Sequence, residues 1–217
     1  MLFFLGKEVV LLLDEVDELY KYPEITEDFC GMLRSWYEES KTLEIWENLR
    51  MVIAYSTEYH GTLDIYQSPF NVGKQIELKE FTEEEVTLLT LRHQLDPKIV
   101  TDLMSIVGGH PYLIRLALYK MSQEELTIEN LLKEAPTDSG IYRDHFSRHL
   151  ETIEKRAKIK AVFQEILKAN SPLRLPDKNR EVCQLEGMGL ITMKGDYAQP
   201  RCQLYRQYFQ ERLGFAG

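Results

Sequence analysis

The stretch Val9-Val10-Leu11-Leu12-Leu13-Asp14-Glu15-Val16-Asp17-Glu18-Leu19 constrains this chain more than any other. Five consecutive aliphatic residues leave no polar face, the pattern of a central strand buried on both sides in a parallel sheet. The run stops abruptly at paired acids. A solvated, acidic helix start accounts for Asp14, Glu15, Asp17 and Glu18 taken alone. The aliphatic run immediately before them favours a strand over Glu8 to Leu13 that carries two adjacent carboxylates at its C-terminal end.

The following residues supply a partner for that strand. Pro23 suits a first helical turn, and Ile25, Phe29, Met32, Leu33 and Trp36 recur at helical spacing, which predicts an amphipathic helix. A shorter helical piece is expected from Leu43 to Leu49. Arg50-Met51-Val52-Ile53-Ala54-Tyr55 reads as a second buried strand ending in Ser56-Thr57-Glu58. Two apolar strands joined through a helix describe a parallel crossover. Residues 59–74 carry Gly61, Pro69 and Gly73 and read as loop. Gln75-Ile76-Glu77-Leu78 alternates and predicts a short strand at a sheet edge.

From Phe81 onward the pattern becomes helical. Thr82-Glu83-Glu84-Glu85 has the form of a capping box, Asp96-Pro97 opens a second helix, and Gly108-Gly109 stops it. Pro111 starts a third helix over Tyr112 to Met121, and Thr127 caps a fourth. Helices are then expected at Ser139 to Leu150, Ala157 to Ala169 and Lys178 to Glu186. Two short extended pieces follow, joined by Gly195-Asp196 as a hairpin turn, and a closing helix runs from Gln203 to Leu213. This order describes a winged helix. The expected organisation is an α/β core over residues 1–80, a helical lid over 81–136 and a winged-helix domain over 137–217.

Composition narrows the class of function. At 217 residues with 44% hydrophobic and 28% charged residues, the chain has enough material for a substantial globular core. No apolar run approaches the roughly 20 residues that cross a bilayer, and Met1-Leu2-Phe3-Phe4-Leu5 is too short for a signal-peptide core. A cytoplasmic location without membrane attachment is expected. A net charge of -9 disfavours broad attraction to nucleic acid. Cys30, Cys183 and Cys202 are too scattered to suggest a disulfide framework or a zinc site.

The acidic strand end has a chemical reading as half of an ATP site. Asp14 is placed to hold Mg²⁺, and Glu15 to polarise a water against the γ-phosphate. Ser56 or Thr57, at the tip of the neighbouring strand, is placed to sense that phosphate. The complementary half is a Gly-x-x-x-x-Gly-Lys-Ser/Thr loop whose backbone N–H groups cradle the phosphates. Two Gly-Lys pairs occur, Gly6-Lys7 and Gly73-Lys74, and neither fits: Glu8 and Gln75 follow them, and both lead into strands.

Four segments carry a family resemblance: Leu11-Leu12-Leu13-Asp14-Glu15-Val16-Asp17, Ser68-Pro69-Phe70-Asn71-Val72-Gly73, Gly108-Gly109-His110-Pro111-Tyr112-Leu113, and Pro200-Arg201-Cys202-Gln203-Leu204-Tyr205-Arg206-Gln207-Tyr208-Phe209. In this order they resemble the AAA-like ATPase domains of cyanobacterial signalling proteins, within the STAND class of P-loop NTPases. The resemblance implies ATP and Mg²⁺ as cofactors, Asp14 as the metal residue and Glu15 as the catalytic one. It places the sensor on Ser56 or Thr57, a γ-phosphate or base contact on His110, and a phosphate-sensing cation on Arg115. It also implies protein partners or fused signalling modules. Family members carry a phosphate loop ahead of the acidic strand, so these residues are expected to form the C-terminal part of a nucleotide-dependent switch, deficient in ATP binding by themselves.

Three alternatives remain in view. The Gly-Gly-His-Pro segment is also an ordinary junction between two helices. Lys178, Arg180 and Lys194 suit a winged-helix DNA binder, although Glu181, Glu186 and Asp196 dilute that surface and favour protein contact. A metal enzyme built on Asp14 and Glu15 is the third. Finally, an unprotected edge on the Val9 to Leu13 strand predicts association, with a partner or with a second copy.

Overall fold

The computed structural model describes residues 8–55, 72–175 and 180–214. The chain divides into two compact units, one ending at Glu77 and the other beginning at Leu78.

In the first unit, β1 (Val9–Leu13) and β2 (Leu49–Ile53) pair in parallel, Val9 opposite Leu49 and Leu13 opposite Ile53. Between them the chain makes a 3-10 turn (Val16–Lys21), the long helix α1 (Pro23–Glu39) and the single turn α2 (Glu44–Glu47). Pro23 occupies the first helical turn, where its missing N–H costs nothing. The buried Thr26 hydroxyl bonds the carbonyls of Leu19 and Tyr22, which ties the 3-10 turn to the start of α1. Leu33 and Trp36 of α1 share a cavity wall with Leu49, Met51 and Ile53 of β2, and Trp36 stacks on Trp46 with ring centroids 5.1 Å apart.

The expectation of a strand buried on both faces needs correction. Alternate residues of a strand point to opposite faces, and here only the Leu11, Leu13, Met51 and Ile53 face is partly covered. Val10, Leu12 and Val52 on the other face are 57%, 71% and 52% exposed. Among the described residues the sheet has two strands with its helix on one side, which leaves the second side open. The strand expected at 75–78 is also absent: residues 74–80 take no regular structure, and Ile76 and Leu78 are exposed. An alternating pattern becomes a strand only within a ladder of backbone hydrogen bonds, and the segment belongs to neither of the described sheets.

The second unit begins with four helices. These are α3 (Glu83–Arg92), α4 (Ile99–Val107), α5 (Pro111–Ser122) and α6 (Ile128–Glu134). The capping box forms as the sequence predicts: the Thr82 hydroxyl accepts from the Glu85 N–H at 3.3 Å, and the Glu85 carboxylate accepts from the Thr82 N–H at 2.8 Å. Gly108 ends α4 at φ 60°, a backbone angle that side-chain-bearing residues rarely adopt.

Helices α7 (Arg143–Glu154), α8 (Ala157–Lys168) and α9 (Arg180–Gly187) follow, with β3 (Leu173–Arg174) before α9. The chain ends with β4 (Ile191–Lys194), β5 (Tyr197–Pro200) and α10 (Gln203–Arg212). The three strands form an antiparallel sheet in the order β3-β5-β4, and Gly195-Asp196 is a two-residue turn between paired Lys194 and Tyr197. Helix α7 starts at Arg143 and not at Ser139. Gly140 packs against the end of α6 so closely that a Cβ there would lie 2.3 Å from the Glu134 carbonyl oxygen, which sets a turn ahead of the helix.

Buried residues from Val86 of α3 to Leu213 after α10 form one hydrophobic cluster. The segments 81–136 and 137–217 therefore share a core. At its centre Phe146 stacks on Tyr208 with centroids 4.2 Å apart, while Phe209 meets both Phe146 and Phe163 edge-on. Among the described residues, no helix is long and apolar enough to cross a membrane.

Candidate functional site

The acidic end of β1 belongs to the first unit. Backbone bonds from Ala54 N–H to the Leu13 carbonyl at 2.8 Å, and from Val16 N–H to the Ala54 carbonyl at 3.2 Å, carry the β1–β2 pairing just past the strands. They fix the residues on either side of Asp14 and Glu15. Glu15 lies in the left-handed region at φ 54° and ψ 38°, a costly position for a residue with a Cβ. The Asp14 carboxylate supports it by accepting the Glu15 N–H at 2.9 Å. Both acids are exposed, and among the described residues neither takes part in an ion pair. The sharp turn sets two adjacent carboxylates at the strand end, leaving oxygens open to a hard cation or its waters. Among the described residues, no three His, Cys, Asp or Glu side chains converge on a metal position. Ser56 and Thr57 lie outside the described residues.

His110 and Arg115 belong to the second unit. His110 precedes α5 in extended conformation, with Pro111 in the first helical turn. The loop that carries it is held tightly. Phe81 N–H donates to the Gly109 carbonyl at 2.9 Å, and a Cβ on Gly109 would stand 2.3 Å from the Phe81 carbonyl oxygen. Only glycine permits that approach. The adjacent Glu80 carboxylate pairs with Arg201 at 2.5 Å, just before α10. Gly189 leaves room for that guanidinium, since a Cβ there would lie 2.5 Å from an Arg201 nitrogen.

His110 faces a cluster that the sequence reading missed. Its Nε2 lies 3.1 Å from the Tyr205 hydroxyl, which is also 2.7 Å from Nε2 of His145 on α7. His149, one turn further along α7, packs edge-on to His145 with centroids 4.7 Å apart. Tyr112 lies against His145 at 5.1 Å. Burial is the main force lowering the imidazole pKa values, to about 4 for His110, about 3 for His145 and about 4 for His149. Nearby cations reinforce it, Arg201 at His110 and Arg148 at His149. Burial also raises the Tyr205 phenol, so the hydroxyl keeps its proton. Nδ1 of His110 is buried without a hydrogen-bond partner. The pair His145 and His149, four apart on one helix, was the available sequence signal; its partners Tyr112, His110 and Tyr205 lie far from it in the chain.

Arg115 is exposed and lies over the Tyr119 ring on the same helix, 5.6 Å from the centroid. Its charge is felt at His93, whose pKa is lowered by burial first and by Arg115 second.

The family model for the AAA-like domain matches residues 1–211 of this sequence. The chain belongs to the AAA-like domain family. A curated relative, an uncharacterized WD repeat-containing protein of Synechocystis sp., is 23% identical over 176 residues, covering 75% of this chain and 14% of that protein. Among solved structures, the Walker-type ATPase of Pyrococcus abyssi superposes with a TM-score of 0.63 at 11% identity, over 94% of this chain and 63% of that one. At that identity the likeness shows the fold alone. It is a mixed α/β fold with a small parallel sheet, like that of a P-loop ATPase. This AAA-like domain spans a small part of the WD repeat protein and under two thirds of the ATPase chain.

Proposed function

We propose that this AAA-like domain works as part of a nucleotide-dependent signalling switch of the STAND type, with Asp14 as the Mg²⁺ residue and Glu15 as the residue that polarises the attacking water. The observation that carries the reading is a parallel strand, registered against its neighbour, that ends in two adjacent exposed carboxylates within a chain of the AAA-like family. ATP with Mg²⁺ is the cofactor this arrangement fits, and Ser56 or Thr57 would complete it beside the γ-phosphate. No Gly-x-x-x-x-Gly-Lys-Ser/Thr loop occurs in the sequence, so these residues alone hold the metal side of the nucleotide and leave the phosphates without their cradle. Domains over 81–136 and 137–217 would act as lid and winged helix, reporting the state of the site to protein partners or fused modules in the cytoplasm.

Equilibrium binding of ATP and Mg²⁺ to the 217-residue chain tests this. Weak, Mg²⁺-dependent binding lost in Asp14→Ala is expected. Micromolar affinity would contradict the incomplete site, and binding indifferent to Asp14→Ala would contradict the assignment of the metal residue. The open face of Val10, Leu12 and Val52, with an edge of β1 that no other described strand pairs, supports self-association of the isolated chain. Light scattering should show a mass that rises with concentration and falls in Leu12→Lys. A constant monomer mass rejects it.

A second reading, a winged-helix binding module, draws on α9 and the β4–β5 hairpin. Lys194 at the hairpin is exposed, while Arg174 pairs with Asp196 at the tip. That mixed charge fits a protein surface better than a phosphate backbone. Salt-dependent binding to duplex DNA, lost in Lys194→Glu, would reverse this preference.

A further inference from the structure

Among the described residues β2 pairs with β1 along one edge only, and the register shows which backbone groups its other edge presents. In a parallel pair the N–H and C=O of one residue point to the same side, and successive residues alternate. Val9 N–H donates to the Asn48 carbonyl at 2.9 Å and Ala54 N–H to the Leu13 carbonyl at 2.8 Å, so the even-numbered residues along β2 face β1. The N–H and C=O groups of Leu49, Met51 and Ile53 therefore point away from it. The Leu49 carbonyl has a contact of 3.4 Å from the Arg50 guanidinium. Among the described residues nothing bonds the outward groups of Met51 and Ile53.

The same three residues line a cavity of about 300 Å³. Leu33, Trp36 and Tyr37 of α1 and Trp46 of α2 form another wall, and Val72 and Gly73 border it as well. Arg50 also lines it, although alternation sends that side chain to the face opposite Met51, so the space reaches along the strand's edge. It is open to entry. Trp36, Tyr37 and Trp46 are half-buried, and a Cβ on Gly73 would meet nothing within 4 Å. Backbone donors and acceptors repeating at every second residue, beside an apolar trough, are matched by another extended chain. The volume is at the low end for a small-molecule pocket.

We infer that the free edge of β2 docks one further strand, an extended aliphatic segment of another polypeptide that bonds to Leu49, Met51 and Ile53 and seats alternate side chains against Trp36 and Trp46. Its remaining side chains would continue the open face of Val10, Leu12 and Val52. The fitting strand is therefore aliphatic on both faces, as β1 and β2 are. Val72 and Gly73 stand beside this edge, so the space suits a single strand better than the rim of a second copy's sheet, which brings its neighbouring strand and α1 with it. No nucleotide takes part in this pairing.

Amide hydrogen exchange on the 217-residue chain, with and without a lysine-flanked peptide of alternating valines and leucines matched to the five residues of β2, tests the pairing. In the dilute free chain the amides of Arg50 and Val52, which face β1, should exchange slowly and those of Met51 and Ile53 fast. The peptide should slow Met51 and Ile53 by about tenfold or more. It should also shift the tryptophan fluorescence, a local reporter because both tryptophans of the chain border the cavity. N-methylation of one alternate set of peptide residues should abolish both effects, and methylation of the other set should leave them. Slow exchange at Met51 and Ile53 in the dilute free chain would mean that the edge is already filled, and overturns the proposal. Protection that rises with protein concentration alone would make a second copy the occupant and overturns it too. A fluorescence shift that leaves both amides fast, equal binding of the two methylated peptides, or no response to the peptide rejects the docking of a strand.

Discussion

Leu12 in β1 and Leu118 in α5 are the same residue in opposite circumstances: the first is 71% exposed and the second fully buried. The difference runs through the two units. The first places two adjacent exposed carboxylates at the end of β1 and leaves one face of its sheet open. The second closes a continuous core from Val86 to Leu213 and holds His110, His145 and His149 largely buried. Exposed apolar strands suit an element that works against further polypeptide, whereas a closed core suits one that must hold its shape.

The largest test of that contrast is a pair of truncations. Phe146→Ala removes a ring stacked at the centre of the second unit and should cost about 3–5 kcal/mol. Leu12→Ala removes a side chain that is mostly in water and should cost about 0.5 kcal/mol or less. Chemical denaturation followed by circular dichroism measures both, and comparable losses would erase the distinction.

Acid should separate the units next. Unfolded histidines titrate near 6.5, while folded His110, His149 and His145 are held at about 4, about 4 and about 3. Below pH 6.5 the unfolded chain takes up protons that the folded second unit refuses. Its stability should be complete above that pH and fall as the pH drops toward 4, by up to about 1.4 kcal/mol per pH unit for each histidine. The first unit has no histidine among its described residues. A denaturation midpoint that stays level from pH 7 to pH 5 would refute the buried cluster.

Two glycine exchanges then sharpen the comparison from opposite sides. Gly109→Ala drives a Cβ into the Phe81 carbonyl and should cost about 1–3 kcal/mol. Glu15→Gly relieves a left-handed backbone at the tip of β1 and should be neutral or stabilising by up to about 1 kcal/mol. Thermal unfolding should move in these directions; a marked loss in Glu15→Gly would mean that the side chain, and not the turn, holds that end of the sheet.

How much of this was legible in the sequence depended on how local the cause was. Thr82 with Glu85, Gly108, Pro111 and Gly195-Asp196 act on their own neighbours, and each does in the structure what its chemistry dictates. The strands β1 and β2 were legible from their aliphatic runs. What was not legible needed a partner distant in sequence. Residues 75–78 have the alternation of a strand yet take no regular structure, and Ser139 to Tyr142 yields to the packing of Gly140 against α6. His110 was visible as a motif residue, but Tyr205 stands 95 positions away and His145 is 35 away. Local patterns cannot bring such residues together; only the folded core of the second unit does.

The acidic tip of β1 is proposed as the metal side of a nucleotide site. Replacing Mg²⁺ by paramagnetic Mn²⁺ in the presence of ATP locates the metal by the amide signals that it broadens. Selective broadening of residues 13–16 and of Ala54 and Tyr55, abolished in Asp14→Asn, is the predicted result. Broadening centred elsewhere, or unchanged by Asp14→Asn, would contradict the account.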